Sequence, residues 1–217
     1  MPIDANEQEF FDLAIHCGAL RFGEFTLKSG RVSPYFFNAA AFSSGAAMGH
    51  LGQLYARAIK AHGLLYDMVF GPAYKGIPLA VAIAIGTAGQ FGIDKPFAFN
   101  RKEAKDHGEG GSIVGPPLAG RVLVVDDVVS AGTSVGESAA LIQAAGATLA
   151  GVAIALDREE RGRDERSAVQ EIEERHRIPV IRLARLSGLL AYLEGRQDMS
   201  VHVPAIRAYR ARYGVAV

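Results

Sequence analysis

Residues 121–134 read Arg-Val-Leu-Val-Val-Asp-Asp-Val-Val-Ser-Ala-Gly-Thr-Ser, and this stretch decides the fold of the chain. The β-branched run at 121–126 predicts a strand, and a continuous apolar run is typical of a strand buried on both faces of a sheet. Small residues follow, and a helical pattern begins near residue 132 and ends at Gly146. A buried strand that turns directly into a helix is typical of a parallel α/β sheet.

Strands and helices alternate on both sides of this stretch. Short apolar runs predict further strands at 68–71, 97–100, 149–156 and 180–183. Longer periodic segments predict helices at 45–62, 77–87, 132–145, 167–177 and 187–194. The alternation predicts an α/β fold in which helices flank a central parallel sheet with right-handed crossovers. Ligands of such sheets bind at the carboxyl ends of the strands.

Two segments depart from this alternation. Near the N-terminus, apolar residues at helical spacing predict a helix over 6–21, and aromatic-containing runs predict short strands over 22–29 and 32–38. Residues 101–117 are rich in charge and glycine and have no apolar period. They predict a long loop, and loops of that length inside compact domains are usually lids or disordered segments.

The C-terminal residues 197–217 carry Arg207, Arg210 and Arg212 at helical spacing. We interpret this segment as a helix that is exposed or contacts another subunit.

The composition narrows the class of protein. The 217 residues are 49% hydrophobic and 21% charged, which is enough for one domain of ordinary α/β size, and 23 basic residues balance 23 acidic ones. A net charge of zero provides no global field for nucleic acid or an anionic membrane, so neither is an expected partner. The single cysteine, Cys17, cannot form an internal disulfide, which suits a reducing cytoplasm. The acidic N-terminus does not resemble a signal peptide, and the most apolar stretch, 77–88, is too short to span a membrane.

Two acidic residues stand at the end of the central strand. Adjacent carboxylates such as Asp126 and Asp127 are costly unless they are neutralised or hydrogen-bonded, and a vicinal diol can donate one hydroxyl to each. The small residues from Ser130 to Ser134 lead into a helix N-terminus, where free backbone N–H groups favour an anion. The combination predicts a site for a sugar phosphate. Taken alone, the turn is also compatible with an ordinary Ser/Thr helix cap.

The whole string resembles the phosphoribosyl pyrophosphate (PRPP) binding motif of type I phosphoribosyltransferases. It lacks the Gly-Lys-Ser/Thr of an NTPase phosphate loop. Further segments are similar to orotate phosphoribosyltransferases over residues 10 to 195. They are Phe-Thr-Leu-Lys-Ser-Gly-Arg at 25–31, Ser-Pro-Tyr-Phe-Phe-Asn at 33–38, Gly-Pro-Ala-Tyr-Lys-Gly at 71–76, Asn-Arg-Lys-Glu-Ala-Lys-Asp-His-Gly-Glu-Gly-Gly at 100–111 and Asp-Arg-Glu-Glu-Arg-Gly at 157–162.

This resemblance implies a fold, a reaction and an assembly. The fold would be that of a type I phosphoribosyltransferase, a single domain over 1–217 with a small N-terminal hood over about 1–45 and a mobile lid over about 101–117. The reaction would transfer the ribose 5-phosphate group of PRPP to N1 of orotate, giving orotidine 5′-monophosphate and pyrophosphate in pyrimidine biosynthesis. Mg²⁺ would be the cofactor. The enzyme would be a cytoplasmic homodimer whose lid residues reach the neighbouring subunit's site.

The resemblance also implies residue roles. Four residues match catalytic positions, namely Lys105, His107, Asp126 and Asp127. The positions that match PRPP-binding residues are Lys28, Tyr74, Lys75, Arg101, Lys102, Lys105, His107, Asp126, Asp127, Val128, Val129, Ser130, Ala131, Gly132, Thr133 and Ser134. Those that match orotate-binding residues are Lys28, Phe36, Phe37, Ser130 and Arg158.

Some of these roles have particular features. Phe36 and Phe37 would act through their backbone groups, and Arg158 is the preferred partner for the acceptor's carboxylate, because a guanidinium pairs with it in two parallel bonds. Mg²⁺ would have no direct protein ligand, with Asp126 and Asp127 acting through water or the ribose hydroxyls. A non-proline cis peptide is expected near residues 73–74. Ser130 stands where the family motif has threonine, so the hydroxyl is kept and a methyl group is lost.

Two other functions remain open at this point. One is a phosphoribosyltransferase for another nucleobase, and the other is a non-catalytic regulator that senses PRPP. The segments at 25–38 and 157–162 weigh against the first. The retained lid cations Lys102 and Lys105, together with the absence of a basic surplus, weigh against the second.

Overall fold

The computed structural model describes residues 3–27, 29–105, 111–129, 133–162 and 165–215, without the side chains of residues 104, 105 and 111. The helices are α1 (Ala5–His16), α2 (Gly45–His62), α3 (Gly76–Phe91), α4 (Thr133–Ala144), α5 (Ala168–His176), α6 (Leu186–Glu194) and α7 (Val203–Tyr213). The strands are β1 (Leu20–Thr26), β2 (Val32–Phe37), β3 (Met68–Gly71), β4 (Phe97–Lys105), β5 (Gly111–Val114), β6 (Arg121–Asp126), β7 (Thr148–Asp157) and β8 (Val180–Arg185). Short 3₁₀ turns lie at Ala39–Ala41 and Ser200–His202.

The central sheet has six strands in the order β5-β4-β3-β6-β7-β8. All of these neighbours except β5 and β4 pair in parallel, which confirms the predicted parallel core. Strand β6 lies in the middle, and its residues alternate between two buried clusters. Leu123 and Val125 face the cluster that contains α1, α2, α3 and α6. Val122 and Val124 face the cluster that contains α4 and α5. Burial on both faces explains the unbroken apolar run.

The prediction of a structureless loop over 101–117 is wrong for residues 101–105 and 111–114. Strand β4 continues to Lys105, and β5 pairs with it in antiparallel fashion, with Phe99 opposite Val114 and Lys105 opposite Gly111. This edge hairpin is polar, since Lys102 and Glu103 are exposed. Ala98 is buried and Ile113 packs against the core, but the charged residues after Asn100 interrupt the apolar pattern, so the periodicity did not predict a strand pair.

Helices α2 and α3 cross at a pair of glycines. A Cβ atom on Gly52 would lie 2.2 Å from the Ala82 carbonyl oxygen, and one on Gly86 would lie 2.5 Å from the Gly52 carbonyl oxygen. Such distances are far below van der Waals contact, so only glycine permits this backbone approach. The crossing fixes α3, and with it the start of that helix at Gly76, against the sheet.

The N-terminal hairpin is part of the main core. Strands β1 and β2 pair in antiparallel fashion, with Leu20 opposite Phe37. Phe10 of α1 contacts the rings of Phe37 and Phe42, with centroids 5.9 and 6.5 Å apart. These rings belong to the same buried cluster as Leu123 of β6. The hairpin therefore sits on the face of the sheet that α1, α2, α3 and α6 cover.

The interpretation of the C-terminal helix as exposed or subunit-contacting is wrong for one of its faces. Val203, Ile206 and Tyr209 of α7 are buried, and the Tyr209 ring packs edge-on against Tyr35 of β2 at 6.1 Å. The arginines cover the other face, where for example Arg207 donates to Glu194. Because the arginines also stand at helical spacing, the sequence pattern did not reveal the apolar face formed by Val203, Ile206 and Tyr209.

None of the helices in the described part of the chain combines the length and the hydropathy that a membrane crossing needs.

Candidate active site

Three of the segments singled out in the sequence meet at one edge of the sheet. Strands β3, β6 and β7 are parallel and end at Gly71, Asp126 and Asp157, so the residues that follow them lie side by side. The turn at 71–76, the acidic pair and Arg158 therefore occupy neighbouring positions. This is the edge at which ligands of parallel sheets bind.

Backbone and hydroxyl donors hold the acidic pair in place. The Asp126 carboxylate accepts from the Asp127 backbone N at 2.8 Å and from the Ser134 hydroxyl at 2.9 Å. The Asp127 carboxylate accepts from the Val128 backbone N at 2.9 Å and from Lys75 Nζ at 2.7 Å. Both acids are at least nine-tenths buried. The sequence-based requirement that neighbouring carboxylates be neutralised is met partly by a lysine from the adjacent turn.

Hydrogen bonds from the core also fix the backbone of Asp126 and Asp127. The Tyr55 hydroxyl donates to the Asp126 carbonyl oxygen at 2.9 Å. The Asp127 carbonyl oxygen accepts from the backbone N of Ala155 and Leu156 in β7. Burial, and then repulsion from the Asp127 carboxylate, raise the pKa of Asp126 to about 6. The carboxylate of Asp126 is thus held at a cost in free energy, which is typical of a binding position.

Replacing Asp126 by asparagine should change how stability depends on pH. The folded-state pKa of Asp126 exceeds its ordinary value of 3.8, so its stabilising contribution is full below pH 3.8 and is lost as the pH rises through about 6. The loss amounts to about 3 kcal/mol, since one pKa unit corresponds to about 1.4 kcal/mol. We expect the free energy of unfolding of Asp126→Asn, minus that of the wild type, to rise with pH, by about 2 kcal/mol of this amount between pH 4 and pH 6. Urea denaturation at several pH values measures it.

The raised pKa of Glu7, which also follows from burial, is present in both proteins and cancels in this difference. If the difference in the free energy of unfolding does not change between pH 4 and pH 6, the surroundings of Asp126 do not destabilise its ionised form.

The turn after β3 has an unusual backbone. The peptide bond between Ala73 and Tyr74 is cis, as the resemblance implied. A Cβ atom on Gly71 would lie 2.1 Å from the Gly76 carbonyl oxygen, so the turn closes tightly on itself. Asn100 of β4 accepts a hydrogen bond from the Ala73 backbone N at 2.8 Å. The turn leaves Lys75 and Tyr74 more than half exposed.

Asn100 was not predicted as a site residue. It ends the run 97–100 that was predicted as a strand, and a polar residue at the carboxyl end of a parallel strand could have marked it.

The polar hairpin β4–β5 contacts the same turn. Lys102 Nζ lies 5.0 Å from the centroid of the Tyr74 ring, which is a cation–π distance. Within the described residues, Nη1 of Arg101 is buried and has no hydrogen-bond partner. A buried guanidinium nitrogen without an acceptor is costly, and an anionic ligand would remove that cost.

A second cluster surrounds Arg158, directly after β7. The side chain is 13% exposed, and its guanidinium lies 4.5 Å from the centroid of the Tyr35 ring. Its Nε donates to Glu160 at 2.7 Å, and its Nη2 donates to the Ser33 hydroxyl at 3.3 Å. The sequence identified Arg158 but missed Ser33 and Glu160 as its partners.

The other predicted residues occupy different positions. Phe37 is a core residue, whereas the half-buried Phe36 stacks on Phe25 with centroids 5.4 Å apart. Val129 is buried and Val128 is partly buried, and Thr133 begins α4. Lys28, His107, Ser130, Ala131 and Gly132 lie outside the described residues, as does the side chain of Lys105.

Comparison with known proteins places this geometry in a family. Residues 47–181 match the phosphoribosyl transferase domain. The orotate phosphoribosyltransferase of Nitrosomonas europaea is 59% identical over 96% of this chain and 91% of its own length. That of Thioalkalivibrio sulfidiphilus is 56% identical over 96% of this chain and 98% of its own length. The solved orotate phosphoribosyltransferase of Francisella tularensis is 40% identical, covers 94% of this chain and 98% of its own, and superposes with a TM-score of 0.85.

Proposed function

This chain belongs to the orotate phosphoribosyltransferases, and from that premise we propose how its residues divide the work between the two substrates. It transfers the ribose 5-phosphate group of PRPP to orotate, forming orotidine 5′-monophosphate and pyrophosphate in pyrimidine biosynthesis. The predicted family and reaction are thereby confirmed. The chain is 56% and 59% identical to two orotate enzymes over 96% of its length. This similarity weighs against an enzyme for a different nucleobase and against a non-catalytic regulator.

The acidic pair at the end of β6 carries the proposal for the donor half of the site. Asp126 and Asp127 accept hydrogen bonds from the two ribose hydroxyls, and residues 128–134 bind the 5′-phosphate at the N-terminus of α4. Lys75 and the turn around Tyr74 bind the pyrophosphate. The 2.7 Å pair between Lys75 and Asp127 supports this arrangement, because the lysine and the carboxylate then serve one pocket. When PRPP enters, the lysine exchanges the carboxylate for a phosphate oxygen.

We propose Mg²⁺ as the cofactor of this half. Two carboxylates fit the ion, since Mg²⁺ prefers oxygen donors and is usually held by one or two carboxylates, substrate phosphates and water. Asp126 and Asp127 would hold it through water or the ribose hydroxyls. When bound, it supplies positive charge to the pyrophosphate oxygens. Within the described residues, no group of three or more His, Cys, Asp or Glu side chains could enclose a metal by itself.

The lid completes the donor half. We propose that Arg101, Lys102, Lys105 and His107 contact the departing pyrophosphate, with Lys105 and His107 acting in catalysis from the neighbouring subunit of a homodimer. The buried, unpartnered Nη1 of Arg101 supports an anion at this position. Closure would exclude water and strengthen these contacts. A cytoplasmic location is proposed as well, and the lone free Cys17 suits it.

These groups stabilise charge more than they perform covalent chemistry. As the bond between the anomeric carbon and pyrophosphate breaks, positive charge develops on the ribose and negative charge on the leaving group. The carboxylates face the first and the cations face the second, so preorganised electrostatics lower the barrier. Orotate N1 then bonds to the anomeric carbon and releases its proton, which the oxygens of the departing pyrophosphate can accept.

The acceptor half centres on Arg158. We propose that its guanidinium binds the carboxylate of orotate, assisted by Lys28, Ser130 and the backbone groups of Phe36 and Phe37. Low exposure supports a strong contact, because charge-assisted hydrogen bonds gain strength where water is excluded.

Removing this cation tests the assignment of the two halves. Arg158→Ala is expected to raise the KM for orotate by about 10- to 100-fold, the equivalent of one charged hydrogen-bond pair, and to leave the KM for PRPP within about twofold. Initial rates with each substrate varied in turn measure both constants. Arg207→Ala, which removes an exposed arginine paired with Glu194, is the matched control. A change in the KM for PRPP instead of orotate would mean that the two halves are reversed.

The reaction itself is tested by the loss of orotate absorbance on addition of PRPP, with and without Mg²⁺. We expect turnover only with the metal present, and no product when uracil or a purine base replaces orotate. Equal turnover after removal of all divalent cations would contradict the cofactor proposal.

A further inference from the structure

The inference rests on the proposed function, in which Arg158 binds the carboxylate of orotate. We infer that Glu160, fastened by Tyr209 of the C-terminal helix, is a positioning residue that aims the Arg158 guanidinium at the acceptor. The last helix of the chain would thus take part in substrate recognition without touching the substrate.

Glu160 accepts hydrogen bonds from three residues, two of them distant in the chain. Its Oε1 accepts from Arg158 Nε at 2.7 Å and from the Tyr209 hydroxyl at 2.8 Å, and it lies 2.6 Å from Arg158 Nη2. Its Oε2 accepts from Arg31 Nη1 at 3.2 Å. The carboxylate is 16% exposed, and Tyr209 is 5% exposed. A buried carboxylate that is bonded on both oxygens has little freedom to rotate.

These contacts leave Nη1 of the guanidinium available. A guanidinium is a rigid planar fork, so holding Nε and Nη2 on Glu160, and Nη2 also on Ser33, fixes the direction of Nη1. The Tyr35 ring supports one face at 4.5 Å from its centroid, which prevents the group from tilting. Across the ranges that the structure describes, Nη1 donates to no acceptor. Nη1 can therefore donate a charge-assisted hydrogen bond to the acceptor's carboxylate.

The backbone holds α7 in place independently of the Tyr209 hydroxyl. The Arg161 backbone N donates to the Tyr213 carbonyl oxygen at 2.8 Å, and Gly214 forms a β-bridge with Glu160. Val203 and Ile206 anchor the helix in the core. Removing one hydroxyl should therefore loosen Glu160 without detaching the helix, which makes a clean test possible.

Tyr209→Phe is the principal test. It keeps the ring and every charge but deletes the donor to Glu160, and we expect it to raise the KM for orotate about fivefold, the usual worth of one hydrogen bond. The kcat and the KM for PRPP should stay within about twofold. Tyr213→Phe is the matched control on the same helix, since its hydroxyl makes no hydrogen bond to the described residues. Unchanged constants for Tyr209→Phe, or equal changes in both variants, overturn the inference.

Product binding isolates the carboxylate contact. Orotidine 5′-monophosphate and uridine 5′-monophosphate differ by the carboxylate alone, so Tyr209→Phe should raise the dissociation constant of the first by about fivefold and leave that of the second unchanged. A general structural defect would weaken both ligands alike, and that result would contradict a positioning role.

Glu160→Gln separates position from charge. Removing a negative charge near the pocket should by itself improve the binding of an anionic acceptor, so loss of charge alone predicts a lower KM for orotate. Loss of position predicts a higher one, because an amide presents N–H donors to Arg158 and Arg31. We expect the KM for orotate to rise, and a fall would overturn the inference. This variant also serves if Tyr209→Phe does not fold.

A double-mutant comparison distinguishes this inference from the proposed function. If Tyr209 acts through Arg158, then adding Tyr209→Phe to Arg158→Ala should cause no further change in the KM for orotate. Independent effects that multiply would contradict the inference and leave the role of Arg158 intact. If Arg158→Ala itself leaves the KM for orotate unchanged, the proposed acceptor site fails and the inference falls with it.

Discussion

Replacing Asp126 and Asp127 together by asparagine is expected to lower the kcat/KM for PRPP by at least about 100-fold, the scale of losing preorganised electrostatic groups at a reacting centre. Each carboxylate accepts a ribose hydroxyl in the proposed complex, whereas each amide would turn one N–H donor toward it. The Asp127 change also removes the partner that holds Lys75 in the pocket at 2.7 Å. Initial rates at varied PRPP and saturating orotate measure the loss.

Folding should survive this double change, because asparagine keeps the shape of aspartate. The change also removes the buried charge of Asp126, a carboxyl group whose pKa is raised by desolvation. Asp67→Asn is the matched control. Asp67 binds Arg121 at the opposite end of β6, so the same acid-to-amide change there should leave kcat/KM within about twofold. A double variant that folds and retains more than a tenth of the activity would show that the donor sugar is bound elsewhere.

Adding a single methyl group at the crossing of α2 and α3 is expected to destabilise the protein strongly. Gly52→Ala would bring a Cβ atom to 2.2 Å from the Ala82 carbonyl oxygen, and Gly86→Ala would bring one to 2.5 Å from the Gly52 carbonyl oxygen. Backbone atoms cannot move aside as a flexible side chain can, so the helices must separate. We expect each variant to lose about 3 kcal/mol in the free energy of unfolding, measured by urea denaturation.

Each helix provides its own control. A Cβ atom added to Gly49 of α2 or to Gly89 of α3 would meet no packed neighbour within 4 Å among the described residues, so alanine there gains helix propensity at no steric cost. Gly49→Ala and Gly89→Ala should stabilise the protein by about 0.5–1 kcal/mol. If all four variants shifted stability in the same direction, helix propensity would dominate and the close crossing would be irrelevant.

The parts of the fold that were predictable are those in which one local pattern determines the structure. The apolar run of β6 required a buried strand, and the acids after it required a polar site at the strand end. The edge hairpin β4–β5 was not predictable in this way, since Lys102 and Glu103 are exposed and leave no apolar alternation. The apolar face of α7 was hidden because Tyr209 and Ile206 stand among arginines.

The site shows the same division. Arg158, Lys75 and the acidic pair lie within motifs, and their side chains carry the charge that the substrates require. Asn100 and Tyr209 lie far along the chain from the groups they fix, 27 residues from Ala73 and 49 residues from Glu160. Their roles depend on tertiary pairing, and a single sequence does not contain that information.

The position of α7 has a consequence for biosynthesis. The groups proposed to hold the donor, from the turn at 71–76 to the acidic pair and the start of α4, all precede residue 135. By contrast, Glu160 gains its bond from Tyr209 only when α7 packs against β2. During translation, the bond from Tyr209 to Glu160 therefore forms only after α7 has left the ribosome.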